Sequence, residues 1–469
     1  MESKNSAVLN VVSEQKDISS ILKDKAKDLD RSSVCSESTF DNDNSLVQSP
    51  SIESFSTIQD IENLSELNMD EDTDLYVKID NPEKHLETLE TYITFRISTR
   101  VARIEFTSHE YVVRRRYNDF LWLRQKLLEC HPFSIIPPLP AKHSLMGQLD
   151  RYSKDFILLR MKFLNLFLNR ICSHPILSCN EHFKLFLTAN HIEFAAHKRK
   201  SSSSSSSNGI IPVNQVISSH SALKTTNIEF DKTKSYLSTL TDKLSSIERI
   251  SYRINKERQD LISDINNFYP IFTMWSANEP ELAVTLENIS HAIERSTAAQ
   301  GALVHSYPNT MTNPIKDFLQ YIEVVQETLR KRESYQSAYE CSLEELNKRH
   351  GEKDKLLAMS QNPSQSSGSF TLWKQPSNDD KLEKLGTHIP QLLKKVESSQ
   401  DSLEMANECL RSDLEYWQQE KLRCVKKILL DFVTKQIHFY EASVNAWEYV
   451  TNEISKENVA SHRANSSTK

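Results

Sequence analysis

The stretch Tyr111-Val-Val-Arg-Arg-Arg-Tyr-Asn-Asp-Phe-Leu-Trp-Leu-Arg124 decides the fold of the first half of this chain. Its β-branched Val112 and Val113 favour a strand, and the apolar residues that begin at Phe120 recur at helical spacing. Three consecutive arginines at the junction cannot all be buried, so at least two must face water or an anion. A guanidinium group suits a phosphate, and Tyr117 beside it offers a flat ring. Taken alone, the three arginines could also be a solvated strand end.

Two further motifs follow, Pro137-Pro-Leu-Pro-Ala-Lys142 and Phe156-Ile-Leu-Leu-Arg160. The three motifs together resemble a PX domain, a phosphoinositide-binding domain. For members that bind phosphatidylinositol 3-phosphate, the resemblance implies that Arg116 holds the 3-phosphate and that Tyr117 stacks on the inositol ring. It also implies that Lys142 approaches the 1-phosphate and that Arg160 takes the 4- and 5-hydroxyls.

The loop after the proline-rich turn carries Leu145 and Met146, which are candidates for entering the bilayer. Packing of this loop against its own domain is an equally good interpretation. No apolar run reaches the roughly 18 residues that a membrane span needs, and the N-terminus lacks the pattern of a signal peptide. We therefore expect peripheral membrane contact only.

Composition favours long helices over a β architecture, because hydrophobic residues make up 38% of the 469 residues and glycine occurs only six times. The seven cysteines are scattered and odd in number, which fits a reducing cytosol better than a disulfide framework. The chain lacks a glycine-rich phosphate loop, a His-Glu-x-x-His pair and a Gly-x-Ser-x-Gly elbow. We therefore expect a protein that is not an enzyme and needs no cofactor.

The net charge of −7 is unevenly distributed. Residues 1–70 carry a net charge of −8 and read as a disordered tail, whereas residues 72–190 carry a net charge of +4. A positive domain suits an anionic lipid surface. The remainder is close to neutral, which argues against nucleic acid as a partner, because proteins that bind it usually have a strongly basic domain.

One cluster combines residue types that bind metals, namely Cys172, His174, Cys179 and His182. Its Cys-x-His opening departs from the usual zinc spacing. In a PX domain these residues fall at the end of one helix and the start of the next. We therefore expect ordinary structural residues and no metal.

The second half is dominated by long amphipathic helices. Leu237, Leu240 and Leu244 begin an apolar seam that steps by three and four, as in a coiled coil. A similar seam continues past Pro308 and Pro314, and we expect these prolines to kink one helix without separating two domains. A third helix follows. Helices with such apolar seams cannot bury them alone, so the pattern predicts a partner.

Three long helices after a PX domain resemble the BAR domain of sorting nexins. The strings Trp275-Ser-Ala-Asn-Glu279 and Ile437-His-Phe-Tyr-Glu-Ala-Ser-Val-Asn-Ala-Trp447 are similar to the subgroup of sorting nexins 7 and 30. The resemblance implies a crescent-shaped dimer, either a homodimer or a heterodimer with another PX-BAR sorting nexin. It also implies cations that meet a curved anionic membrane, for which the candidates are Arg330, Lys331, Arg332, Lys348, Arg349, Lys353 and Lys355. A solvated helix face is the alternative, because acidic residues are interspersed.

The predicted fold is therefore an α+β PX domain, with a three-stranded sheet and helices, followed by an all-α BAR domain of three long helices. The predicted segments are an acidic, serine-rich disordered tail (1–71), the PX domain (72–191), a serine-rich linker (192–220), the BAR domain (221–455) and a disordered tail (456–469). Within the BAR domain we expect helices over about 222–268, 279–350 and 391–452, with a low-complexity loop over 361–378.

The resemblance implies binding of phosphatidylinositol 3-phosphate and sensing or shaping of curved membrane at the cytoplasmic face of the early endosome. It further implies a role in endosomal sorting, vesicle trafficking and autophagy. The alternative function is a coiled-coil scaffold whose PX-like domain mainly binds protein. Binding to vesicles with and without the lipid discriminates between the two.

Overall fold

The computed structural model describes residues 74–86, 91–141, 153–203, 227–361 and 378–466. In chain order its elements are β1 (Leu75–Leu86), β2 (Thr91–Val101), β3 (Glu110–Arg116), α1 (Tyr117–Cys130), α2 (Lys154–Cys172), a short 3-10 turn (Leu177–Cys179), α3 (Glu181–Thr188), α4 (His191–Ser203), α5 (Ile228–Ser276), α6 (Ala283–Tyr307), a π turn (Pro308–Thr312), α7 (Asn313–Gln361) and α8 (Asn378–Ser466). None of the helices in these described ranges is long and apolar enough to cross a membrane.

The first domain is built on an antiparallel sheet in the order β1-β2-β3. Ile79, Ile97 and Val113 lie opposite one another across the three strands, and all three are buried. This register sends alternate side chains toward the helices, as expected of a sheet with one covered face. The predicted three-stranded sheet with helices is therefore confirmed.

Helix α2 covers the free edge of β1 through two asparagines. The Asn165 side-chain oxygen accepts a hydrogen bond from the Ile79 N–H at 2.9 Å, and the Asn169 side chain donates to the Val77 carbonyl at 3.0 Å. These bonds satisfy backbone groups that an edge strand would otherwise leave open. The same helix buries apolar residues such as Phe167 in the core, so it is firmly attached to the sheet.

Helix α4 occupies the place where the sequence predicted the start of a linker at residue 192. It runs over His191–Ser203, and its Phe194 packs edge-on against Trp122 of α1 at 5.0 Å between ring centroids. This aromatic contact explains why the helix forms despite its polar composition. The predicted boundary of the linker was therefore wrong, and residues 204–220 of that segment lie outside the described residues.

The long helices of the second domain run through their prolines. The chain stays helical from α6 to α7 through the π turn at Pro308, which confirms that these prolines interrupt one helix without ending it. Pro270 and Pro390 also lie inside helices, within α5 and α8. Helix α5 therefore runs past the end predicted near 268, and α8 starts before the beginning predicted near 391. In α8, the buried Ile389 next to Pro390 belongs to the apolar cluster shared with α7.

Much of the apolar seam is buried within one chain. Phe230 and Leu237 of α5 meet Phe318 of α7 and Leu410 and Trp417 of α8 in one cluster. A second cluster joins the end of α7 to the start of α8. The predicted low-complexity loop between these two helices lies almost wholly in residues 362–377, outside the described residues. The three-helix arrangement is thus a packed bundle in its own right.

Polar contacts join the first domain to the helical domain. Asp413 of α8 accepts a hydrogen bond from the Ile135 N–H at 2.6 Å, and its other oxygen lies 3.3 Å from Nε2 of His174. Nearby, Phe133 packs edge-on against Tyr335 of α7 at 4.9 Å. Buried polar groups that find partners across an interface specify its geometry, so the two domains have a defined relative orientation.

Candidate functional site

Arg116 lies at the point where β3 ends and α1 begins. Its guanidinium group sits over the ring of Tyr92 at 5.7 Å from the ring centroid, and its backbone pairs with Thr94 in the neighbouring strand. The structure places no described carboxylate within ion-pair distance of this guanidinium. Arg116 therefore presents a cation whose hydrogen-bonding capacity is available to an anion.

The two arginines before it have structural roles. Arg115 is buried and donates to the carbonyls of Phe186 at 3.0 Å and Ala189 at 2.6 Å, and burial lowers its pKa to about 10. Arg114 forms an ion pair with Glu83 at 2.9 Å. Of the three consecutive arginines, Arg115 is therefore buried, Arg114 is paired with a carboxylate, and Arg116 is available to a ligand. Arg116 is the residue to which the PX resemblance assigns the 3-phosphate.

Tyr117 and Arg160 come together beside the proline-rich turn. The Arg160 guanidinium lies over the Tyr117 ring at 4.4 Å from the centroid and donates to the Ala141 carbonyl at 3.2 Å. The Tyr117 hydroxyl donates to the Pro140 carbonyl at 2.5 Å, and burial raises the pKa of this hydroxyl. Desolvation lowers the pKa of Arg160, but an arginine keeps its charge at neutral pH.

The structure therefore brings Arg116, Tyr117 and Arg160 to one corner of the first domain. One face of the Tyr117 ring is already occupied by Arg160, so stacking of an inositol on Tyr117 stays a prediction. Lys142, Leu145 and Met146 lie outside the described residues. Two guanidinium groups and a ring are suited to a polyhydroxylated ligand that carries phosphate.

Asp119 is a residue of this site that the sequence reasoning missed. Its Oδ2 accepts a hydrogen bond from the Arg116 N–H at 3.0 Å, and its Oδ1 accepts one from Nζ of Lys198 at 2.8 Å. The first contact could have been found, since an acidic residue at the third position of a helix commonly binds the backbone before the helix. The second could not, because Lys198 lies in α4, where a linker was predicted.

The membrane-contact candidates of α7 separate into two groups. Arg330, Lys348 and Lys355 are exposed, while Lys331, Arg349 and Lys353 are half-buried. Arg349 pairs with Glu352 at 2.9 Å, which reduces its attraction for lipid. Membrane contact by the exposed residues Arg330, Lys348 and Lys355 stays a prediction.

Arg332 is a correction, because it is buried and cannot contact a membrane. Its Nε donates to the Asn407 side chain of α8 at 2.7 Å, and its Nη1 donates to Gln336. Its guanidinium also lies over the ring of Phe230 of α5 at 4.7 Å. Arg332 therefore links the three long helices to one another.

The residues of metal-ligand type have structural neighbours. Nδ1 of His174 accepts hydrogen bonds from the N–H groups of Ile176 and Leu177, and His182 packs edge-on against Trp122. Within the part of the chain that the structure describes, no three His, Cys, Asp or Glu side chains are arranged to hold a metal ion.

A second candidate surface consists of exposed apolar residues on α5 and α8. On α8 they step by three and four residues and comprise Leu430, Val433, Ile437, Tyr440, Val444 and Trp447. On α5 they comprise Ile247, Ile250, Ile254, Leu261, Phe268, Ile271 and Trp275. We call these two rows the apolar stripes. Exposed apolar rows of this kind are candidates for an interaction surface.

Both halves of the chain match known protein families. Residues 103–190 match the PX domain family, and residues 204–453 match the family described as Vps5 C terminal like. Sorting nexin-30 of Mus musculus is 35% identical over 398 residues, which cover 82% of this chain and 80% of that protein. Sorting nexin-7 of Homo sapiens is 34% identical over 375 residues, which cover 80% of this chain and 87% of that protein. The cryo-EM structure of the SNX-BAR Mvp1 tetramer superposes with a TM-score of 0.55 at 18% identity, covering 81% of this chain and 100% of that chain.

Proposed function

The chain belongs to the sorting nexins, with a PX domain followed by a BAR-type helical domain, and we propose that it binds phosphatidylinositol 3-phosphate as a peripheral protein of the early endosomal membrane. In this proposal Arg116 holds the 3-phosphate and Tyr117 lies against the inositol ring. Lys142 approaches the 1-phosphate, and Arg160 takes the 4- and 5-hydroxyls.

The observation that carries this proposal is the difference between Arg116 and its two neighbours. Arg114 forms an ion pair with Glu83, and Arg115 donates hydrogen bonds to backbone carbonyls. Arg116, by contrast, has no carboxylate partner among the described residues. An arginine left available beside a second arginine and a tyrosine is suited to a phosphate monoester on a sugar-like ring. This arrangement supports a headgroup site more than a surface that binds protein.

We further propose that the apolar stripes of α5 and α8 are covered by a second PX-BAR chain. A helix that exposes an apolar row at steps of three and four is half of a coiled-coil seam. A twofold dimer is the smallest symmetric assembly that removes such rows from water. The partner is either a second copy of this chain or another PX-BAR sorting nexin, and the dimer senses or shapes curved anionic membrane during endosomal sorting, vesicle trafficking and autophagy.

In such a dimer the two PX domains act on the same membrane. Each headgroup site alone binds modestly, but two sites on one rigid body raise the effective concentration at the surface. The exposed cations Arg330, Lys348 and Lys355 add attraction to anionic lipid that salt screens. Membrane residence therefore depends on both domains.

The experiment compares binding of the full chain to phosphatidylcholine vesicles with and without phosphatidylinositol 3-phosphate at fixed salt. A third set of vesicles carries phosphatidylinositol 4-phosphate at the same molar fraction, so that net charge is matched approximately and the phosphate position differs. Binding that requires the 3-phosphate supports the proposal. Equal binding to all vesicles, or none, favours the alternative of a coiled-coil scaffold whose PX domain binds protein.

A further inference from the structure

The polar face of the PX sheet ends in two rings that the proposed headgroup contacts do not include. Tyr92 of β2 lies directly opposite His85 of β1, and their ring planes are stacked at 16°, with 5.0 Å between the centroids. We call these two residues the ring pair. The Arg116 guanidinium lies over the Tyr92 ring, 5.7 Å from its centroid, so the ring pair lies beside the proposed ligand of the 3-phosphate.

The strand register explains why these residues meet. Arg116 of β3 pairs with Thr94 of β2, so Tyr92, two residues before Thr94, is its diagonal neighbour. Alternate residues of a strand share a face, and Ile93 between them packs against the core. The Thr94 hydroxyl also lies 2.8 Å from Nε2 of His85, which restrains the His85 ring. The ring pair is therefore held in place by the sheet.

Arg116 differs from the other arginines of this sheet face. Arg96, Arg100 and Arg114 each form an ion pair with a carboxylate, at 2.6, 3.5 and 2.9 Å. A carboxylate takes N–H groups in the guanidinium plane, which an anionic ligand also needs. An aromatic ring attracts the cation through its π face and does not take N–H groups in this way. The Tyr92 ring can therefore hold Arg116 and leave its N–H donors to a phosphate.

We propose that Tyr92 is a positioning residue, which holds the Arg116 guanidinium where the 3-phosphate docks, and that His85 holds the Tyr92 ring. This inference rests on the proposed function and adds two residues that act through Arg116. A long side chain loses rotamer freedom when it binds a ligand, and this loss weakens binding. Because the ring restricts Arg116 before the lipid arrives, part of the loss is avoided and the affinity is higher.

The test measures binding of the full chain to phosphatidylcholine vesicles containing phosphatidylinositol 3-phosphate, at fixed pH and salt. Tyr92→Leu, which removes the ring, should lower the affinity by about twofold to tenfold, the effect expected from ordering one arginine side chain. Tyr92→Phe keeps the ring and should bind nearly as tightly as the wild type. Unchanged affinity of Tyr92→Leu, or equal weakening by the two variants, would overturn the role of the ring.

Tyr76→Leu is the matched control. Tyr76 is half-buried and lies opposite Arg100, at the other end of the same sheet face. Its replacement removes the same kind of ring from the same sheet and tests for a general effect on the fold. The lipid affinity of Tyr76→Leu should equal that of the wild type. If Tyr76→Leu and Tyr92→Leu weakened binding equally, Tyr92 would have only a structural role.

His85→Leu is a second arm, which removes the support of the Tyr92 ring. It should weaken binding less than Tyr92→Leu, and the double variant should bind no more weakly than Tyr92→Leu alone, because His85 acts through the ring. Fully additive losses would contradict this order of action. A wild-type chain that does not bind these vesicles would contradict the proposed function, whereas lipid binding that is indifferent to Tyr92 contradicts this inference alone.

Discussion

Arg170 of α2 and Asp317 of α7 form a buried ion pair between the PX domain and the helical domain, with 2.7 Å between Nη2 and Oδ2. Their side chains are 2% and 9% exposed, and the Arg170 guanidinium also lies 4.5 Å from the centroid of the Tyr321 ring. Burial is the largest single influence and acts to lower the pKa of Arg170, but the attraction and hydrogen bond of Asp317 combine with Cys424 and Tyr321 to raise it. Helix α2 carries both this ion pair and Arg160, so the headgroup site is attached directly to the long helices.

The first prediction concerns that ion pair. Arg170→Met should lower the free energy of unfolding by about 3–5 kcal/mol, because it leaves the Asp317 carboxylate buried without its cation. Arg100→Met is the control for a surface pair, since Arg100 pairs with Glu110 at 3.5 Å with both side chains exposed, and such pairs contribute about 0–1 kcal/mol. Denaturant titration measures both. Equal losses from the two variants would show that the interdomain pair contributes no more than a surface pair.

A second prediction concerns pH. The pKa of His131 is lowered, first by burial and then by His174, with Asp413 opposing. A lowered pKa means that the unfolded chain binds a proton more readily than the folded chain, so the stability from this group is complete above the unfolded pKa of about 6.5 and declines as pH falls below it. His131→Gln should therefore reduce the loss of stability between neutral pH and about pH 5. If the free energy of unfolding of the wild type and of His131→Gln fell by the same amount between neutral pH and about pH 5, this account would be contradicted.

The third prediction addresses assembly through the apolar stripes. Val433→Asp combined with Ile437→Asp should convert a dimer into a monomer, because both side chains are exposed in the single chain and would meet the partner. Light scattering measures the mass. Val112→Asp, an exposed apolar residue of the PX domain, is the control and should leave the mass unchanged. A wild-type chain that stays monomeric at micromolar concentration would contradict the proposed dimer.

The fourth prediction separates the cations of α7 by their burial. Arg332→Met should lower the free energy of unfolding by about 1.5–3 kcal/mol, since it removes charge-assisted hydrogen bonds to α8, and it should leave vesicle binding by the folded chain unchanged. Lys348→Gln with Lys355→Gln should weaken vesicle binding and leave stability unchanged, because both lysines are exposed. If Arg332→Met weakened vesicle binding, and the double lysine variant lowered stability instead, the structural role of Arg332 and the membrane role of the lysines would both be wrong.

The position of the candidate headgroup residues Arg116 and Tyr117 at a strand-to-helix junction could be predicted from the sequence because the signal is local. Arg116 and Tyr117 lie at one strand-to-helix junction, and the chemistry of a strand end and a helix start is set by neighbouring residues. The same local reasoning located the sheet and the helices of the PX domain. It failed at α4, whose polar residues do not indicate a helix, because contacts with distant residues such as that of Phe194 with Trp122 of α1 hold it in place.

Contacts between distant parts of the chain could not be predicted in this way. Arg170 and Asp317 are 147 residues apart, and neither lies in a motif that indicates the other. The resemblance to BAR domains made Arg332 a membrane-contact candidate, yet α7 packs against both α5 and α8 at that position. The apolar periodicity also did not distinguish Leu410, buried within the chain, from Val433, which is exposed.

The central claim is that Arg116 anchors the chain to phosphatidylinositol 3-phosphate, and the most direct test is vesicle flotation of the full-length Arg116→Ala variant. Loss of a charge-assisted interaction of about 1.5–3 kcal/mol predicts a decrease in affinity of roughly ten- to a hundredfold, with the fold retained. Arg100→Ala, which removes an exposed arginine of the same sheet, should bind like the wild type. Vesicle binding by a folded Arg116→Ala chain that equals that of Arg100→Ala would contradict the account.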